Sequence, residues 1–103
     1  MIYIETFEKE SGAGVLDEEI GSIVVPEGYT VKILELGFTI ISTTWIYCYI
    51  GEVRVVKYHG TYKTTTLKRI LMDLELVAGQ TFKITATTVA GGQNTVLVVY
   101  DKS

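Results

Sequence analysis

The sequence predicts an all-β protein, an eight-stranded antiparallel β-sandwich, and three observations carry that prediction. Apolar and polar residues alternate with a period of two through most of the chain. Turn chemistry recurs at nearly regular spacing, at Pro26-Glu27-Gly28, Gly51-Glu52, Val77-Ala78-Gly79-Gln80 and Gly91-Gly92-Gln93-Asn94. No stretch carries a convincing helical period. The pattern is clearest near the C-terminus, where Phe82, Ile84, Ala86 and Thr88 alternate with Thr81, Lys83, Thr85 and Thr87. Beyond the glycines, Val96, Val98 and Tyr100 alternate with Leu97 and Val99. This reads as a β-hairpin with Phe82, Ile84, Val96 and Val98 facing the core.

In chain order, Ile2 to Phe7 alternates as a short strand, either at a sheet edge or on an arm formed by residues 1–19. Ile2, Tyr3, Ile4 and Phe7 are candidate contacts to another copy. Glu8 to Glu19 mixes acids with Ser11, Gly12, Ala13 and Gly14 and reads as an acidic loop. It is not a dinucleotide loop, because Asp17 stands where the third glycine of G-x-G-x-x-G belongs and no helical pattern follows. Nor do its acids have EF-hand spacing.

Ile20 to Val25 leads into the Pro26-Glu27-Gly28 turn, and Tyr29 to Ile41 is the next strand. There Val31 and Ile33 share one parity while Leu34, Leu36, Phe38 and Ile40 share the other, which predicts a bulge near Ile33-Leu34. After Ser42-Thr43-Thr44, the strand Thr44 to Ile50 places Trp45, Tyr47 and Tyr49 on one face and Ile46, Cys48 and Ile50 on the other. Gly51-Glu52 turns the chain into Glu52 to Tyr58, completing a second hairpin in which Val53 and Val55 oppose Arg54, Val56 and Tyr58. His59 begins a loop. Leu67 to Val77 fits a helix through Leu67, Ile70, Leu71 and Leu74, or a strand through Ile70, Met72, Leu74 and Leu76. The strand is favoured by the turn that follows it and by the company of other strands. Thr81 to Val89 and Asn94 to Tyr100 complete the eight.

Composition narrows the function classes. With 103 residues the chain suits one domain. Its 48% hydrophobic content and mean hydropathy of +0.31 are high for a small soluble monomer and point to burial between copies. The longest uncharged run, between Glu35 and Glu52, is too short and too polar for a membrane span. The N-terminus lacks the basic and apolar regions of a signal peptide, so maturation in the cytoplasm is expected. A sequence pI near 5.0 argues against nucleic acid as a partner. Nine of the twelve acids lie between Met1 and Glu52, and seven of the nine bases beyond it. Either strands from the two halves pair and neutralise each other, or acidic and basic faces meet between neighbouring copies.

Sites for chemistry are scarce. Cys48, the only cysteine, cannot form an internal disulfide and reads as packing. His59, the only histidine, lacks a partner set for zinc or for base catalysis. No cofactor, metal or catalytic residue is expected. Trp45, Tyr47 and Tyr49, with Tyr58 and Tyr62, form the candidate ligand-binding set, since an aromatic strand face can stack a sugar ring as well as pack a core.

Eight short strands with these turns indicate a two-sheet sandwich. A single jelly roll is the first choice, and an immunoglobulin-like topology is disfavoured because its Cys, Trp, Cys pattern is absent. The run Val25-Pro26-Glu27-Gly28-Tyr29-Thr30-Val31-Lys32-Ile33, then Tyr49-Ile50-Gly51-Glu52-Val53-Arg54, then Leu74-Glu75-Leu76-Val77-Ala78-Gly79-Gln80-Thr81 and a Gly-Gly link resembles small jelly-roll modules of phage and archaeal-virus particles. That resemblance spans Ile23 to Tyr100. It implies a non-enzymatic capsid, turret or decoration component, assembled in the host cytoplasm from identical copies alongside other virion proteins. A carbohydrate- or receptor-binding module, with a glycan or host receptor as partner, is the alternative.

Overall fold

The computed structural model describes residues 1–11, 14, 16–39, 44–60, 68–88 and 92–103. These form eight strands: β1 (Ile2–Ser11), β2 (Glu18–Val24), β3 (Thr30–Thr39), β4 (Thr44–Ile50), β5 (Val53–Gly60), β6 (Lys68–Val77), β7 (Thr81–Thr88) and β8 (Gly92–Lys102). They make two antiparallel four-stranded sheets, ordered β1-β8-β3-β6 and β2-β7-β4-β5. That order is a jelly roll. No helix among the described residues is long and apolar enough to cross a membrane.

The core lies between the two inner faces. β8 contributes Val96, Val98 and Tyr100, β7 Phe82, Ile84 and Ala86, β3 Val31, Ile33, Leu36 and Phe38, and β4 Ile46 and Cys48, all buried. Phe82, Ile84, Val96 and Val98 therefore face inward as their parity predicts.

The expected hairpin of β7 and β8 does not form. The two strands lie in different sheets, each presenting its apolar parity to the other across the core. Alternation fixes which face of a strand is buried but not which strand its edge bonds, so a hairpin and an arch between sheets share one pattern. The Gly91-Gly92-Gln93-Asn94 link lies partly outside the described residues, as do the Ser42-Thr43 link and the predicted strand ends at Ile41 and Val89.

Two other turns also carry the chain between sheets. Tyr29 N–H donates to Pro26 O at 3.2 Å, and Gln80 N–H donates to Val77 O at 3.1 Å. Gly28 (φ 86°) and Gly79 (φ 88°) take the third position of these turns, where a side chain would be strained. Gln80 Oε1 accepts from Val77 N–H at 2.9 Å, and Gly79 N–H donates to Val25 O at 3.0 Å, tying this turn to the end of β2.

Bulges set the faces. The predicted one appears where β3 shifts register between Ile33 and Glu35 against both β6 and β8, which keeps Leu36 and Phe38 in the core. A second, unpredicted shift lies between Cys48 and Tyr49 of β4, leaving Val55 as the extra residue on β5. It corrects the expected grouping: Val56 and Tyr58 pack on the core, whereas Arg54 lies on the outer face. β5 also continues through His59 and Gly60, which were expected in a loop. Lys68–Val77 is a strand, with Ile70, Met72, Leu74 and Leu76 on the core.

β1 is longer than expected and pairs with β8 from Ile2↔Asp101 to Ser11↔Gly92. Of the edge strand and the arm, the structure shows the edge strand. Its inner face carries Tyr3, stacked on Tyr100 with centroids 5.5 Å apart, and Phe7, whose ring covers Gly21 of the opposite sheet. A Cβ on Gly21 would lie 2.2 Å from Phe7 Cδ1. Glycine is the residue that lets the ring close this side of the sandwich.

Candidate functional site

The outer face of the β2-β7-β4-β5 sheet holds a ladder of aromatic rings and cations. Ile46 and Cys48 point into the core, so the β4 alternation turns Trp45, Tyr47 and Tyr49 outward, where each is half-buried. The Trp45 and Tyr47 rings are parallel within 1°, with centroids 6.2 Å apart. A cation sits against every ring. Lys57 Nζ is 4.6 Å from the Trp45 centroid, the Arg54 guanidinium 4.8 Å from Tyr47, and Lys83 Nζ 5.1 Å from Tyr49. In the register Lys57 opposes Tyr47 and Arg54 opposes Tyr49, so both β5 cations lean one rung along β4 to reach their rings, while Lys83 lies directly across from its own.

Asp17 closes one end of the ladder. It has φ 50°, and its N–H donates to Thr87 Oγ1 at 2.8 Å. Its carboxylate accepts from the Tyr49 hydroxyl at 3.2 Å and from the Thr85 hydroxyl. Thr85 is buried although its parity faces outward. Burial and the Asp17 hydrogen bond raise the Tyr49 phenol above its ordinary pKa, so the phenol keeps its proton and stays the donor to Asp17.

The predicted aromatic set is thus divided. Trp45, Tyr47 and Tyr49 stand together, whereas Tyr58 points inward against Phe38, with centroids 4.5 Å apart. Tyr62 lies outside the described residues. Arg54, Lys57, Lys83 and Asp17 were absent from the predicted set. Lys83 was legible from the β7 parity, Arg54 was concealed by the Val55 bulge, and Asp17 arrives through tertiary structure.

The outer face of the β1-β8-β3-β6 sheet is different in kind. Ile2, Ile4 and Leu71 are 55%, 64% and 82% exposed, and Leu97 and Val99 of β8 are half-buried on the same side. Ile4, Val99, Glu35 and Leu71 form one row across the four strands. Glu35 pairs with Arg69, and Lys32 with Asp73 at 3.3 Å, two ion pairs that join β3 to β6 on this face. The four predicted contact residues of β1 therefore separate into Ile2 and Ile4, outward, and Tyr3 and Phe7, inward.

Among the described residues no group of three or more His, Cys, Asp or Glu is placed to hold a metal ion. Cys48 is fully buried, and burial pushes its thiol up to about 12. A shallow polar hollow of about 250 Å³ between Thr30, Lys32, Glu75, Asp101 and Ser103 contains no histidine or cysteine.

No protein-family model matches the sequence, and no curated protein matches it. The backbone is similar to a chain in the structure of infectious bursal disease virus Gt strain, at 15% identity and TM-score 0.44, covering 97% of this chain and 32% of that one. It is also similar to a chain of the Gx strain structure, at 13% identity and TM-score 0.44, covering 98% and 37%. This chain spans about a third of the length of those viral chains.

Proposed function

We propose that the protein is a non-enzymatic structural component of a virus particle, a jelly-roll unit that associates with copies of itself in a capsid, turret or decoration layer. The observation that carries this reading is the apolar outer face of the β1-β8-β3-β6 sheet, where Ile2, Ile4 and Leu71 stand out beside Leu97 and Val99. A sheet face of this kind is stabilised by stacking against another, with apolar area supplying affinity and the flanking Glu35–Arg69 and Lys32–Asp73 pairs supplying register. The edge strands β1 and β6 border the same face and offer backbone groups to a neighbour. Chemistry is poorly supported by contrast. The Cys48 thiol is buried and uncharged at neutral pH, which removes it as a nucleophile.

Size-exclusion chromatography with light scattering tests the assembly. The wild type is expected as a closed oligomer at high micromolar concentration and moderate salt, and Ile4→Lys with Leu71→Lys as a monomer of unchanged circular dichroism. A wild type that stays monomeric would overturn the reading. Mass spectrometry of purified particles tests the virion assignment, with structural copy number expected.

A further inference from the structure

We propose that the outer face of the β2-β7-β4-β5 sheet binds a short carboxylated saccharide, an oligouronate in chemical class, through Trp45, Tyr47, Arg54, Lys57 and Lys83. The site lies on the sheet opposite the assembly face, so it stands or falls independently of the structural role.

Three features of the ladder select this ligand. The first is unspent positive charge: among the described residues, Arg54, Lys57 and Lys83 have no carboxylate within ion-pair distance, although the chain as a whole is acidic. The second is how the cations are held. Each lies 4.6–5.1 Å from a ring centroid, a contact that leaves N–H donors available to an anion. Fixing the side chains before the ligand arrives lowers the entropy lost on binding. The third is the pairing of one cation, from β5 or β7, with each aromatic ring of β4. An oligouronate has the same ratio, one carboxylate for every sugar ring.

A neutral saccharide would leave the cations unmatched. A nucleic acid strand also combines rings with anions, but its dense phosphate charge would meet Asp17 at one end of the ladder and Glu19 on the neighbouring β2 strand. Asp17 suits a saccharide better, since its carboxylate can accept from sugar hydroxyls as it accepts from Tyr49 and Thr85.

Trp45 is the only tryptophan in the chain, so its fluorescence reports on the site directly. The 103-residue chain is titrated at moderate salt with a galacturonic acid hexamer, a neutral maltohexaose, a heparin-derived hexasaccharide and a hexameric DNA single strand. The uronate is expected to change Trp45 emission with an affinity at least about tenfold above the neutral hexamer, the equivalent of one charge-assisted contact, and above the other two anions. Arg54→Gln with Lys57→Gln should weaken it by a further tenfold or more at unchanged melting temperature, with Lys83→Gln, on a different strand, as the independent variant. The monomeric Ile4→Lys/Leu71→Lys variant should bind as the wild type does. Equal binding of maltohexaose, tighter binding of heparin or DNA, indifference to the charge variants, or no response to millimolar uronate would each overturn the proposal.

Discussion

Tyr100 donates its hydroxyl to Glu5 Oε1 at 3.0 Å beneath the Tyr3 ring, and burial, reinforced by that carboxylate, pushes its pKa up to about 12 from an ordinary 10.0. Cys48 is raised to about 12 from 9.0 by burial alone. Both groups hold their protons more tightly when folded, so their contribution to stability is complete below pH 9 and is lost as pH rises towards 12. Chemical denaturation from pH 8 to 12 should show that loss, and Tyr100→Phe should flatten the part above pH 10. At Gly21 the constraint is steric. Gly21→Ala forces the Phe7 ring to move and should cost about 1–3 kcal/mol, the usual penalty of overpacking, measurable by urea denaturation. Ile84→Ala, at a fully buried position, should cost about 2–5 kcal/mol in the same assay.

β1 shows how far the sequence could be read. Alternation from Ile2 to Phe7 identified a strand but left its location open, and an acidic run concealed its continuation to Ser11, because Glu8, Lys9 and Glu10 are compatible with an edge strand facing solvent. Since β1 pairs along its length with β8 and covers Gly21 through Phe7, a chain starting at Ile20 should lose cooperative thermal unfolding by circular dichroism rather than lose assembly alone. The β3 bulge was legible because parity switches within one apolar run, from Ile33 to Leu36. On β5 it was not, since Val53, Val55 and Val56 are apolar on both parities and Arg54 gives no sign of its side. The aromatic face of β4 was readable residue by residue, whereas the cations that complete it come from two other strands, and sequence spacing does not fix which strands are neighbours.

Across the whole molecule, every strand pairing joins the acidic half of the sequence to the basic half: β1 with β8, β8 with β3, β3 with β6, β2 with β7, β7 with β4 and β4 with β5. Among the described residues three ion pairs, from the Met1 amino group to Asp101, Lys32–Asp73 and Glu35–Arg69, bridge the halves directly, so charges separated along the sequence become neighbours in space. Four of these pairings are nested about the Gly51-Glu52 link, with β4–β5 innermost, then β3–β6, β2–β7 and β1–β8. Nesting sets an order in time. β4 and β5 meet across two residues, while β1 and β8 must close nearly the entire chain, and each wider closure costs more entropy unless the inner pairs already hold the ends together. Folding should therefore proceed outward from the middle of the sequence. In stopped-flow kinetics Ile46→Val on β4 should slow folding, whereas Phe7→Leu on β1 should mainly hasten unfolding, because the last strand to arrive is the first to leave.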